Sequence, residues 1–305
     1  WRNFISSVIL IFIESLSLGF LFFYFFVTYV LSPNNCGILL PMYYDYHTHT
    51  DVSEDSVTPA DEMIEAAIKK GVVELAITDH FDPDYPDPDF TFEPDLQAYH
   101  SMLLDKQKQY RNRIKIVKGI EIGLQKGSTL RRCEKEAKSF EYDFIIGSFH
   151  CFDGYDLYNA DYDEMKKDEI LPNFYKCMYE CLSIYNDYSV VGHFNVIDRY
   201  IPFEPDYYKV SDIIEAILKI VIQQGKGIEF NTSSYRYGMG DNTTPSANIL
   251  KLYRDMGGEI ITIGSDAHRP DHIAMDFEKG KHILLQQGFR YFSTFENMQP
   301  VMKKL

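Results

Sequence analysis

The sequence predicts an α/β fold whose parallel sheet is closed, or nearly closed, into a barrel. Three observations predict it. From Met42 onward, seven short apolar runs alternate with stretches of helical character. Nearly every run stops at a Gly, His, Asp or Glu. No internal repeat, low-complexity tract or Pro/Gly/Ser-rich linker divides the 305 residues. Strand–helix alternation builds parallel sheets, and this number of units at this length suits one barrel domain.

The predicted strands are Tyr43–Tyr46, Val72–Thr78, Ile114–Glu121, Phe144–Ser148, Ser189–Gly192, Gly227–Phe230 and Ile260–Gly264. They are short, β-branched or aromatic, and bounded by Gly, Asp or His. The helix after the first strand is expected to begin with Thr58 as N-cap and Pro59 at the first helical position, and to stop at Gly71. A second amphipathic pattern covers Val210–Gly225, with Ser211 able to cap it. The stretch Phe81–Tyr99 is irregular, holding four prolines and many carboxylates. A loop that long in a compact domain reads as a lid or substrate loop.

The formal net charge is −15. Such a surface repels nucleic acid and anionic membrane. The five cysteines are sparse and odd in number, with no CxxC pair. They fit small buried thiols in a reducing, cytoplasmic compartment and not a disulfide scaffold; Cys177 and Cys181 are one helical turn apart.

Residues 4–31 are almost continuously apolar, with Glu14 their one charge. That length exceeds the roughly 20 residues that span a bilayer. The segment therefore reads as a possible transmembrane helix, which would anchor the protein to a membrane. The chain begins with Trp1, and Met42 stands directly before the first strand. This favours residues 1–41 as translated upstream sequence and 42–305 as the folded domain.

The chemistry collects at strand ends. The first strand runs into Asp45-Tyr-His47-Thr-His49, and alternation puts both histidines on one face. The next strands end in Thr78-Asp79-His80, Gly-Ile-Glu121, Gly-Ser-Phe-His150, Gly192-His193, Glu229-Phe-Asn231 and Ser265-Asp266-Ala-His268. Six of the nine histidines lie just past predicted strands, joined by Glu121, Asp266 and, in the first loop, Asp55. In an α/β barrel all these points converge on one face. A single strand-end histidine is most often a satisfied core residue, and His100, His272 and His282 are read as surface or loop residues. Six titratable groups crowding one mouth would cost desolvation unless they bind something. Imidazole and carboxylate donors without thiolates suit Zn, Mn or Fe.

These ordered motifs resemble the signature of the polymerase and histidinol phosphatase (PHP) superfamily, over residues 42 to about 300. Within it, DYHTHT, Asp55, DPDFTFEPD, GSFHCFDGYD, GHFNVIDRY and EFNTSSYR resemble the histidinol-phosphate phosphatase branch most. The resemblance implies a distorted (βα)7 barrel with three divalent metal ions. It implies His47, His49, Glu121 and Asp266 on the first, Glu121, His150 and His193 on the second, and Asp55, His80 and His268 on the third. The sequence departs from the family pattern at Asn195, where Asp often stands.

The implied reaction is hydrolysis of a small phosphate ester, L-histidinol phosphate, by metal-activated hydroxide. Asp266 and His268 are the expected proton-handling residues. Arg199 and Arg236, on strand–helix loops, are the expected phosphate clamps, because guanidinium binds phosphate through two parallel hydrogen bonds. The loop Asp82–Asp95 is expected to supply charge and stacking to the amine and imidazole. The alternatives are another PHP-type phosphoesterase acting on a small phosphomonoester or nucleotide, a regulatory module with a decayed metal site, and a membrane-tethered phosphatase.

Overall fold

The computed structural model describes residues 42–239 and 242–305. The apolar stretch 4–31, with the membrane-anchor and upstream-translation readings attached to it, and Cys36 lie outside the described residues. Among the described residues no helix is long and apolar enough to cross a membrane.

The strands are β1 (Tyr43–Asp45), β2 (Val72–Ile77), β3 (His80–Phe81), β4 (Lys115–Gly123), β5 (Phe144–Ser148), β6 (Cys151–Phe152), β7 (Tyr155–Asp156), β8 (Val190–Val191), β9 (Gly227–Asn231), β10 (Ile261–Gly264), β11 (Tyr291–Glu296) and β12 (Gln299–Lys304). The helices are α1 (Ala60–Lys69), α2 (Leu96–Tyr110), α3 (Ser128–Ala137), α4 (Lys167–Leu182), α5 (Ser211–Gln223), α6 (Ala247–Asp255) and α7 (Phe277–Gln286). Seven strands pair side by side in the order β1-β2-β4-β5-β8-β9-β10, all parallel. The chain just past β1 meets β10 and the residues that follow it: Tyr46 N–H donates to Ile263 O at 3.0 Å, and His49 N–H to Ala267 O at 2.9 Å. The sheet is thus a nearly closed seven-stranded barrel, as the alternation predicts.

Each predicted strand is present, with ends shifted by at most two residues and Phe144–Ser148 unchanged. Capping differs. Thr58 does not cap α1; Pro59 holds the N-cap position without a side-chain bond. Thr58 Oγ1 instead reaches toward His268 O at 3.5 Å, drawn to the barrel mouth. Ser211 is the first residue of α5, and its hydroxyl donates backward to Tyr208 O. His100 is no surface residue: it lies half-buried on α2, stacked on Phe140, with Nε2 2.9 Å from Glu136 and 2.8 Å from the Tyr142 hydroxyl. Four cysteines, Cys133, Cys151, Cys177 and Cys181, are free and buried.

The two hairpins, β6–β7 and β11–β12, have no counterpart in the predicted strands. The second closes the start of the barrel. Phe295 of β11 packs with Tyr46, Ala76, Val117, Phe144, Ile146 and Val190 inside it, and its N–H donates to the Tyr46 hydroxyl at 2.8 Å.

Candidate metal centre

Two buried carboxylates shape the turns that carry the first histidines. Asp79 accepts from the Thr50 N–H at 2.6 Å, the Thr50 hydroxyl at 2.8 Å and the Ser53 hydroxyl at 2.8 Å. Asp45 accepts from the Ser265 N–H at 2.9 Å, the Ser265 hydroxyl at 2.6 Å and the Ala274 N–H at 2.9 Å. Burial pushes both carboxyls up, and these bonds work against it. Their effect is to bolt the His47–His49 turn to the β2 and β10 ends.

All nine residues expected as metal ligands meet at one mouth. Glu121 stands at the centre. Its Oε2 lies 3.1 Å from His47 Nε2 and 3.5 Å from His49 Nε2; its Oε1 lies 3.0 Å from His193 Nε2 and 3.3 Å from His150 Nε2. Asp266 Oδ1 lies 3.8 Å from His47 Nε2 and 3.6 Å from His49 Nε2. Asp55 Oδ2 lies 3.6 Å from His80 Nε2 and 3.0 Å from His268 Nε2. Donor atoms of His47, His49 and Asp266 converge, as do those of His47, Glu121 and His193, of His49, His80 and His268, and of His80, Asp82 and His150.

The donor set fits cations. His49 Nε2, His80 Nδ1 and His268 Nε2 are buried without a hydrogen-bond partner, although each lies within 3.6 Å of a carboxylate oxygen. Buried polar atoms left unpaired are costly. Close approach without hydrogen-bond geometry is what atoms aimed at a shared ion would show. Burial, with His268 and His80 beside it, pushes the His49 imidazole down to about 3, and burial lowers His193 too. The facing carboxylates outweigh burial and raise His47, His80, His150 and His268. Burial opposes ionisation of Glu121 and Asp266, but the surrounding imidazoles overcome it and hold both carboxyls well below their ordinary range. Neutral imidazole and ionised carboxylate are the states that bind metal, so cations binding here would release the protons those raised imidazoles hold.

Two further carboxylates complete the centre; in the sequence Glu229 stands at a predicted strand end and Asp82 in the predicted substrate loop, and neither is among the expected metal ligands. Glu229 Oε1 lies 2.6 Å from His47 Nδ1, and its Oε2 accepts the His193 N–H at 2.8 Å. A Cβ at position 264 would sit 2.2 Å from Glu229 Oε1, so Gly264 keeps that path open. Asp82 Oδ1 lies 2.6 Å from His150 Nδ1. Carboxylates behind metal-binding imidazoles fix the ring and its tautomer. The signal that could have found them is the acid inside EFN and the second Asp of DHFD.

Arg199 faces the centre. Its Nη2 donates to the Ser233 hydroxyl at 2.7 Å and lies 4.0 Å from Asp266 Oδ2, its guanidinium sits 3.9 Å over the Tyr237 ring, and its buried Nε makes no hydrogen bond. Asn195 braces the turn Val196–Arg199 that carries it, donating to Asp198 at 2.7 Å and to Thr243 O at 3.3 Å. Arg236 spends Nη2 on Ser265 O at 2.8 Å and Asp266 O at 2.9 Å, leaving buried Nη1 unpaired. It thereby supports Asp266, whose backbone is left-handed at φ 55°.

A cavity of ≈ 450 Å³ opens over the centre, lined by Arg199 and by Tyr85, Phe90 and Phe92 of the long loop. The loop's acids are mostly turned elsewhere. Asp84 and Glu93 pair with Arg132 of α3, and Asp87 accepts from Asn159 at 2.7 Å. Of the loop's carboxylates, Asp82 lines the cavity. Tyr85, Phe90 and Phe92 thus face the cavity, whereas Asp84 and Glu93 share Arg132 on the α3 side.

Comparison with known proteins agrees with this architecture. The model for the PHP domain matches residues 45–233. A "Probable histidinol-phosphatase" of Clostridium acetobutylicum is 32% identical over 244 residues, 78% of this chain and 91% of that protein. The histidinol-phosphatase of Lactococcus lactis subsp. lactis is 26% identical over 266 residues, 84% and 95% of the two chains. A crystal structure of histidinol phosphate phosphatase from Lactococcus lactis, complexed with Zn, L-histidinol and phosphate, shares the fold with a TM-score of 0.77 at 23% identity, covering 86% of this chain and 100% of that one. Motifs, barrel and convergent donors lead to one statement: the chain belongs to the PHP domain family.

Proposed function

We propose that residues 42–305 form a metal-dependent phosphatase that hydrolyses L-histidinol phosphate to L-histidinol and phosphate, in L-histidine biosynthesis. The observation that carries the reading is the convergence of nine histidine and carboxylate side chains beside Arg199, under an aromatic-lined cavity. Relatives that carry this activity in their names are similar to the chain over most of its length.

Three divalent cations, Zn, Mn or Fe, are assigned to His47, His49, Glu121 and Asp266, to Glu121, His150 and His193, and to Asp55, His80 and His268. Bound there, they supply Lewis acidity, lowering the pKa of water toward neutrality and offsetting phosphoryl charge. Asp266 contacts the attacking water and takes its proton. His268, held by Asp55, is the second proton-handling group. Arg199 presents its unspent Nε to a phosphoryl oxygen, and Arg236 contributes Nη1 while it holds the Asp266 turn. Tyr85, Phe90 and Phe92 stack on the imidazole of the substrate and exclude water. The four buried free cysteines support a cytoplasmic, reducing setting.

The test is phosphate release from L-histidinol phosphate beside a generic phosphomonoester and a cyclic nucleotide, with metal content measured on the same sample. A preference of about a hundredfold, equivalent to about 2.7 kcal/mol in the transition state, lost in His150→Ala and Arg199→Ala, is the expected result. Equal or better hydrolysis of the cyclic nucleotide would move the protein to another branch of the family.

A further inference from the structure

We infer that Asp82 is a positioning residue that straps two metal positions together and ties both to the loop above them. The inference rests on the three-position reading of the centre. Asp82 is buried, and its two oxygens face two different imidazoles. Oδ1 is 2.6 Å from His150 Nδ1, and Oδ2 is 3.3 Å from His80 Nδ1. Neither Oδ2 nor His80 Nδ1 makes a hydrogen bond, and His80 Nδ1 lies equally near Glu121 Oε2, at 3.2 Å. His150 and His80 belong to separate positions. The other nitrogen of His150 points to Glu121 and His193, and that of His80 to Asp55. One rigid carboxylate therefore sets the rotation of a ring in each.

The backbone adds the third connection. The Asp82 N–H donates to Phe92 O at 2.8 Å, across the base of the long loop. The Phe92 ring meets His80 edge-on at 5.1 Å between centroids. Room for the carboxylate is built into the neighbouring strand, where a Cβ at position 123 would fall 1.8 Å from Asp82 Oδ1. Gly123 is thus the residue that lets Asp82 reach both rings. Asp82 stands close enough to His80 and His150 for the three to share an ion; with Oδ1 2.6 Å from His150 Nδ1, we take it to act through the histidines.

The test reads metal release and needs no activity. Wild type, Asp82→Asn, Gly123→Ala and His150→Ala are loaded with Mn²⁺ or Zn²⁺, and release into EDTA is followed per equivalent. Thermal unfolding of the metal-free forms serves as the check on folding. An amide can accept from only one of the two rings. Asp82→Asn is expected to speed release of two equivalents by about 10–100-fold, the usual effect of losing such a partner, and to leave one at the wild-type rate. Gly123→Ala, which keeps the carboxylate but displaces it, is expected to reproduce that pattern. His150→Ala is expected to affect one equivalent. Wild-type release in both Asp82→Asn and Gly123→Ala, or equal acceleration of every equivalent, would overturn the strap. A wild type that holds fewer than three equivalents would instead overturn the reading on which it rests.

Discussion

The two ends of the barrel are made by the same strands and obey opposite rules. Inside the barrel, away from the mouth, Tyr46, Phe144 and Phe295 pack into an apolar plug against the C-terminal hairpin. At the other end, Glu121, six carboxylate-paired histidines and Asp266 crowd into a space where several polar atoms lack partners. The plug lowers free energy by removing apolar surface from water and filling space. The mouth raises it by desolvating charge, a cost that cations held there would offset in part. Stability and chemistry are thereby separated along one axis.

Substitutions at the two ends should separate the same two properties. The largest effect is expected at the mouth. Glu121→Gln removes charge from the centre of the donor set, so phosphate release should fall by at least about 10³-fold, since such centres supply several kcal/mol of transition-state stabilisation. Its apo-form unfolding midpoint should not fall; a drop as large as that of a core deletion would break the comparison. At the plug, Phe295→Ala should cost about 3–5 kcal/mol in denaturant unfolding. Its turnover under folded conditions should stay within about twofold, or the two ends are coupled.

Arg199→Ala should lower phosphate release by about 10²-fold, the usual loss of one transition-state donor, while metal equivalents remain unchanged. Loss of metal in that variant would place Arg199 with the ligands and not with the phosphate. A smaller effect belongs to Asp198, which lies between the two regimes. Burial raises its carboxyl to about 6, with the Tyr207 and Asn195 hydrogen bonds opposing. Its folded pKa is above the unfolded one, so the folded state binds more protons between about pH 4 and 6. This contribution is present below the unfolded pKa and is lost as pH rises through 6. Asp198→Asn should flatten that dependence by on the order of 1–2 kcal/mol. An unchanged slope in pH-dependent unfolding would show that Asp198 titrates normally.

Much of the centre was legible because strand ends announce themselves. His47-Thr-His49 alternates on an extended chain, and Glu121, His193 and Asp266 follow apolar runs, so barrel topology alone brings them together. The roles of Glu229 and Asp82 were not legible, because they depend on which imidazole lies across the sheet. Glu229 sits on β9 and acts on a histidine beyond β1; Asp82 follows β3 and acts on one beyond β5. The pairing of the acidic loop was hidden for a related reason: charge in sequence does not say whether Arg132, on a later helix, has already paired with it.

The sequence by itself determined the period of the elements, the residues at their ends and hence the kind of chemistry the chain supports, since these follow from local alternation and donor type. Tertiary structure alone decided which carboxylate stands behind which imidazole, that Thr58 turns from its helix toward His268, and that the last hairpin plugs the barrel. Those outcomes depend on contacts between residues far apart in the chain, whose distances no local pattern encodes.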